Sequence, residues 1–144
     1  MAEGLFLHSH SSVSDRFAIL DETDQVAFLY LTQKGSQQPM RDAIAYMRVQ
    51  PPKEVDWKAM AENGNPPILS EEFASDQAVI TDVEESSFSF EWSADGNSAV
   101  LVFRGDPIAL VAESEQIGFS KAVATPNKLT NPWDQDVYRK LFGR

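Results

Sequence analysis

The sequence predicts an α+β fold: an antiparallel meander sheet of about five or six strands, one amphipathic helix and a short C-terminal helix. Three observations predict it. Apolar and polar residues alternate through FSFEWSADGNSAVLVFRGDPIALVAE, which is broken twice by glycine turns. An i, i+3, i+4, i+7 apolar pattern ends at Pro51-Pro52, and a capped apolar stripe closes the chain. At 144 residues, with 42% hydrophobic and 10% aromatic side chains, residues 1–144 suit a single domain. A chain of this size buries roughly 68–70% of its unfolded surface, enough to fold without a metal or a disulfide.

Taken in order, the start MAEGLFLHSHSS has three consecutive apolar residues, Leu5 to Leu7, and an acid at Glu3. A signal peptide needs a basic region and a longer apolar run, so a cytoplasmic address is expected, with residues 1–14 a flexible, Ser-rich start. FAILDETDQVAFLYL places Phe17 and Ile19 on one strand and Val26, Phe28 and Tyr30 on the next, with Asp21 to Asp24 between them. That is a hairpin. Met40, Ala43, Ile44 and Met47 recur at helical spacing, with Pro39 in the first turn, which predicts an amphipathic helix over 38–49. Its Met residues read as core packing. Residues 50–87, with Pro51, Pro52, Pro66 and Pro67, form a Pro-rich acidic insertion. Within it Val55 to Ala61 suggests a helical turn carrying Trp57 and Met60, and Ala78 to Val83 a strand.

The strongest local signal is the pair of turns that follows. A two-residue loop at Asp95-Gly96 puts Trp92 opposite Ala99, Phe90 opposite Leu101 and Phe88 opposite Phe103. A second turn at Gly105-Asp106 would set Phe103 against Ile108, Leu101 against Leu110 and Ala99 against Ala112, extending one apolar face over three strands. The helix at 38–49 is expected to cover that face. At the end, Asn131 is the expected N-cap and Pro132 the first helical residue, with Trp133, Val137 and Leu141 at i, i+4 and i+8 and Arg139 and Lys140 matching the macrodipole.

Charge narrows the function. Twelve Lys and Arg against 22 Asp and Glu give −10, which argues against nucleic acid and anionic membranes as partners. Eleven of the acids and only two bases lie in residues 50–95. No segment reaches the roughly 18 consecutive apolar residues of a membrane span. With no cysteine, thiol catalysis and cysteine zinc sites are excluded. His8 and His10, the only histidines, would share one face of a strand as two metal ligands do, but no third nitrogen is present and no metal is expected. A Ser-His-Asp triad lacks its G-x-S-x-G elbow, and neither phosphate-loop pattern occurs, so no cofactor is expected. Carboxylates cluster at Asp21, Glu22 and Asp24, at Glu71, Glu72 and Asp76, and at Asp82, Glu84 and Glu85. Acid–base catalysis needs one member of such a pair in an apolar pocket; in polar turns the groups stay solvated. Arg104-Gly105-Asp106 spells an adhesion tripeptide, and turn chemistry accounts for it.

The order FAILDETDQVAFLYL, DAIAYMRV, the Trp92-Ser93-x-Asp95-Gly96 hairpin, GFSKAVATPN and a terminal helix with Trp133 resembles a family of small uncharacterised bacterial proteins, a domain of unknown function. The likeness covers most of the chain outside 50–87. Phe119-Ser120-Lys121 departs from the Cys-containing stretch that the pattern has after Gly118. The resemblance implies a compact bacterial α+β protein without a catalytic assignment, and by analogy an immunity protein. Taken together, the sequence predicts a non-enzymatic protein-binding module, an immunity protein or inhibitor that presents Glu71, Glu72, Asp76, Asp82, Glu84 and Glu85 to a basic partner such as a toxin. The alternative is a self-associating structural or regulatory subunit; a carboxylate-based enzyme ranks third.

Overall fold

The computed structural model describes residues 4–143. Four strands, β1 (Phe6–Ser11), β2 (Arg16–Glu22), β3 (Val26–Thr32) and β4 (Pro39–Met47), form an antiparallel sheet in chain order. After a short helix α1 (Trp57–Glu62), a second sheet is built from β5 (Phe88–Trp92), β6 (Ser98–Phe103), β7 (Asp106–Ala112), β8 (Glu115–Ser120) and the two-residue β9 (Asn131–Pro132), again in chain order and antiparallel except for β9. Helix α2 (Gln135–Phe142) ends the described chain. The α+β class is as expected, but the expected single meander is two sheets, face to face.

The main core lies between the sheets. Ala18, Leu20, Leu29 and Leu31 of the first meet Leu101, Ala109 and Val111 of the second, all fully buried. Each sheet is also covered outside. Ile68, Leu69 and Ala78, from the segment after β4, pack on Val26, Phe28, Ile44 and Met47. Tyr138 of α2 packs on Val100, Leu110 and Phe119. At Gly118 of β8 a Cβ would stand 2.7 Å from Ala43 Cβ and 2.9 Å from Asp42 O, both of β4 in the other sheet, and 2.9 Å from Leu110 O of its own sheet. Only glycine fits there without displacing backbone.

Several further expectations are corrected. Residues 38–49 are not a helix but β4, which leaves the second sheet to be covered by α2 instead. Met40, Ala43, Ile44 and Met47 do recur at helical spacing, yet Ala43–Met47 is an unbroken apolar run buried on both sides, for which periodicity cannot separate helix from strand. A bulge leaves Ala45 without a partner between Tyr46 and Ile44, so Ala45 and Tyr46 both turn into the inter-sheet core. The turn after β6 is centred on Arg104-Gly105, both at positive φ (50° and 83°), which sets Phe103 opposite Asp106. A one-residue shift then places Leu101 opposite Ala109 and Val100 opposite Leu110. Leu110 and Ala112 therefore face α2, not the inter-sheet core. The turn at Asp95-Gly96 does give Trp92–Ala99, Phe90–Leu101 and Phe88–Phe103.

The start expected to be flexible contains β1, paired along its length with β2; residues 1–3 lie outside the described part. The hairpin of β2 and β3 forms, with Ile19 opposite Tyr30, but the face turned to the second sheet is that of Ala18 and Leu20. Trp57 and Met60 do lie on a helical turn, α1. Ala78 to Val83 gives a single bridge, Met47 to Val79, rather than a strand. The N-cap of α2 is Asp134, whose carboxylate accepts from the Asp136 and Val137 N–H groups; Asn131 and Pro132 pair with Phe119 and Ser120 instead.

Candidate functional site

The acidic segment is tethered by its backbone, which decides where its carboxylates point. Glu71 N–H donates to Pro52 O (2.7 Å), and Ser75 N–H donates to Ala122 O (2.8 Å). Ser75 Oγ donates to Lys121 O (2.5 Å) and accepts from Gln77 N–H. Met47 N–H donates to Ala78 O, and Ile80 N–H returns to Met47 O. Arg48 donates to the carbonyls of Ile80 and Thr81. These bonds hold the chain while its apolar residues turn inward, so the acids are left outside.

Glu71, Glu72, Asp76, Asp82, Glu84 and Glu85 are all exposed. Glu71 and Asp76 line one groove of about 450 Å³ together with Gln50, Pro51, Ala74, Ser75 and Val79. Asp82 pairs with Arg104 at 3.0 Å, both side chains more than half exposed. Among the described residues the other five have no ion-pair partner within 4.0 Å. Glu84 and Glu85 lead into a 3-10 turn, Glu85–Ser87, before β5. The sequence-predicted residues thus share one continuous segment, and Glu85 lies apart from the groove, on a second cavity of about 340 Å³ with Leu7, His8, Phe88 and Phe90.

His8 and His10 lie on the same face of β1, as strand geometry requires, and both pack on Phe17, with ring centroids 6.2 Å and 4.8 Å away. His10 Nε2 is 2.8 Å from Asp15 Oδ1. No group of three or more His, Asp or Glu side chains placed to hold a metal occurs among the described residues.

Two buried polar clusters were not expected. Glu22, grouped in the sequence with the solvated carboxylates of a turn, is buried; its carboxylate accepts from the Tyr46 hydroxyl (2.6 Å) and from Leu5 N–H (3.2 Å), with Arg48 Nε 3.9 Å away. Burial first, then the hydrogen bond and charge of Glu22, pushes the Tyr46 pKa far above the ordinary 10.0, against a smaller lowering by Arg48. Burial, with the charges of Asp21 and Asp42, also raises Tyr30. The second cluster surrounds Arg16, whose side chain is 4% exposed and reaches Glu113 (2.6 Å), Asn97 (3.1 Å) and the Thr32 carbonyl (2.9 Å). Arg16 and Glu22 share strand parity with buried Ala18 and Leu20. That parity was the available signal, hidden because the hairpin is apolar on both faces.

Comparison with protein-family models, curated proteins and solved structures found no match to this chain.

Proposed function

We propose that the protein is a non-enzymatic binding module that docks a basic protein surface on its acidic segment, in its most concrete form an immunity protein or inhibitor covering the basic cleft of a toxin. The observation that carries this reading is the tethered display of six exposed carboxylates along residues 71–85, five of them without an internal cation among the described residues. Held by its hydrogen bonds, the backbone of the segment loses little further freedom on docking, and the summed field of its carboxylates accelerates encounter with a cation. The buried ionisable groups support the same reading, since Arg16 and Glu22 are occupied in pairs that join elements of the fold.

The test takes basic proteins encoded beside this gene as the probes and measures their association rates against ionic strength. Association slows as salt rises, and the triple variant Glu71→Lys, Glu72→Lys, Glu84→Lys lowers the on-rate by about tenfold or more while circular dichroism and melting stay unchanged. Binding at an undiminished rate by the folded triple variant overturns the acidic segment as the interface. Trp57 and Trp133 then become the anchors to replace.

A further inference from the structure

The first sheet ends in an open edge whose chemistry is independent of the acidic segment. Glu22 N–H donates to Leu5 O (2.9 Å), which fixes the phase of the β1–β2 ladder. By the alternation of antiparallel pairs, the backbone groups of Leu7, Ser9 and Ser11 face β2, and those of Phe6, His8 and His10 face away. Among the described residues these three N–H and three C=O groups have no backbone partner. The other edges are less available. The second sheet runs out in the two-residue β9, Ile44 N–H and Ala45 O of β4 are bonded to Thr130 Oγ1 and Ser120 Oγ, and β5, Phe-Ser-Phe-Glu-Trp, carries an acid, Glu91.

Composition and exposure single out the same strand. Phe6 and Val13, 62% and 70% exposed, are the exposed large hydrophobic side chains of the described residues; Phe6 opens β1 and Val13 lies in the turn that follows it. The strand, Phe-Leu-His-Ser-His-Ser, carries no Asp or Glu in a chain of net charge −10. Natural edge strands are commonly protected by charge, proline or a bulge. β1 has none of these.

We propose that a second copy of this chain pairs with β1, antiparallel about a two-fold axis at His8, so that two four-stranded sheets become one of eight. The parity is self-complementary. His8 meets the partner's His8 and Phe6 meets the partner's His10, so every outward-facing residue of one strand meets an outward-facing residue of the other. This closes about six backbone hydrogen bonds. It also lays the exposed Phe6 ring beside the partner's imidazole, over a cavity of about 160 Å³ lined by Phe6, His8, Phe17, Ile19 and Gln37. The charged groups around the strand are Asp21, the cross-strand neighbour of Phe6 on β2, Asp15, which is held by His10, and Glu85, which lines a cavity with Phe6, Leu7 and His8. One six-residue strand is a small interface, so the dimer is concentration-dependent.

Cysteine placement reads the register directly, because the chain has no thiol of its own. His8→Cys puts two Cα atoms about 5.5 Å apart, within disulfide reach. Phe6→Cys puts them about 13 Å apart, four residues along the strand, beyond it. Mild oxidation therefore cross-links His8→Cys and spares Phe6→Cys. Sedimentation of the unmodified chain shows one copy becoming two as concentration rises, and His8→Pro abolishes this. Proline removes an N–H that faces away from β2, so the ladder to β2 and the melting temperature persist. Unmodified protein that stays a single copy across the concentration series overturns the proposal, as does a dimer that survives in folded His8→Pro. If His8→Pro fails to fold, the cysteine pair decides: equal cross-linking of the two variants is the contrary result.

Discussion

The two outer faces of the molecule are covered in opposite ways. Over the second sheet lies α2, eight residues with Asp134 at its N-cap, Gly143 at positive φ (71°) at its C-cap and Arg139 and Lys140 in its last turn. Over the first sheet lies a stretch with little regular structure, including the six-residue α1, which buries no residue. It still places Leu69 at 0% exposure and Ala78 at 1%. The helix satisfies its own backbone and needs the sheet only for its apolar stripe. The irregular cover must borrow hydrogen bonds from Met47, Arg48, Lys121 and Ala122. Acidic residues tolerate the second arrangement well, because backbone partners, not side-chain period, hold the segment down.

The largest expected effect tests whether the irregular cover is part of the cooperative core. Leu69→Ala should cost about 2–5 kcal/mol by chemical denaturation, as for a fully buried leucine. A cost below about 0.5 kcal/mol would instead match a surface position and mean that the cover opens separately. Next in size, Tyr46→Phe leaves the buried Glu22 carboxylate without its hydroxyl donor and should cost about 1–3 kcal/mol at neutral pH.

The same variant carries a pH signature. The folded Tyr46 pKa is raised above 10.0, so its contribution is complete below pH 10 and is lost as pH rises above that value. Melting temperature should therefore fall more steeply above pH 10 in the parent than in Tyr46→Phe. Tyr30, raised by burial and by Asp21 and Asp42, keeps part of the alkaline decline in both proteins.

Two smaller effects sharpen the contrast between the covers. Asp134→Ala removes the acceptor for two N–H groups of α2 and should cost about 1 kcal/mol. Asp56→Ala removes the equivalent cap of α1, which accepts from Ala59 N–H, and should cost less, because a helix whose residues are at most partly buried can fray without opening the core. Equal costs would show that the two helices are equally coupled to the sheets. Smallest of all, Asp82→Asn breaks an exposed pair with Arg104 and should change global stability by less than about 1 kcal/mol.

What could be read in advance depended on range. The pairing of Phe88–Trp92 with Ala99–Phe103 was legible because Asp95-Gly96 sets it within one loop, where Gly96 takes φ 72° and the Asp95 carboxylate accepts from Asn97 N–H. The exposure of Glu71, Glu72, Asp76, Asp82, Glu84 and Glu85 was legible because solvation of a carboxylate needs no knowledge of its neighbours. The terminal helix was legible by its stripe, although Pro132 was taken into β9 and the cap moved to Asp134.

By itself, then, the sequence determined the α+β class, the hairpin of β5 and β6, the C-terminal helix and the solvated acidic segment, each through interactions between residues close in the chain. Only the tertiary structure decided that Ala43–Met47 is a strand, that Leu110 faces α2, and that Arg16 and Glu22 are buried. Those outcomes turn on bulges that reverse strand parity by a single residue and on partners far along the chain: Glu113 lies 97 residues from Arg16, and Tyr46 lies 24 from Glu22. A one-residue shift exchanges the two faces of a strand while leaving its local pattern the same, so the choice is made by whichever face finds complementary packing and hydrogen-bond partners when the sheets close.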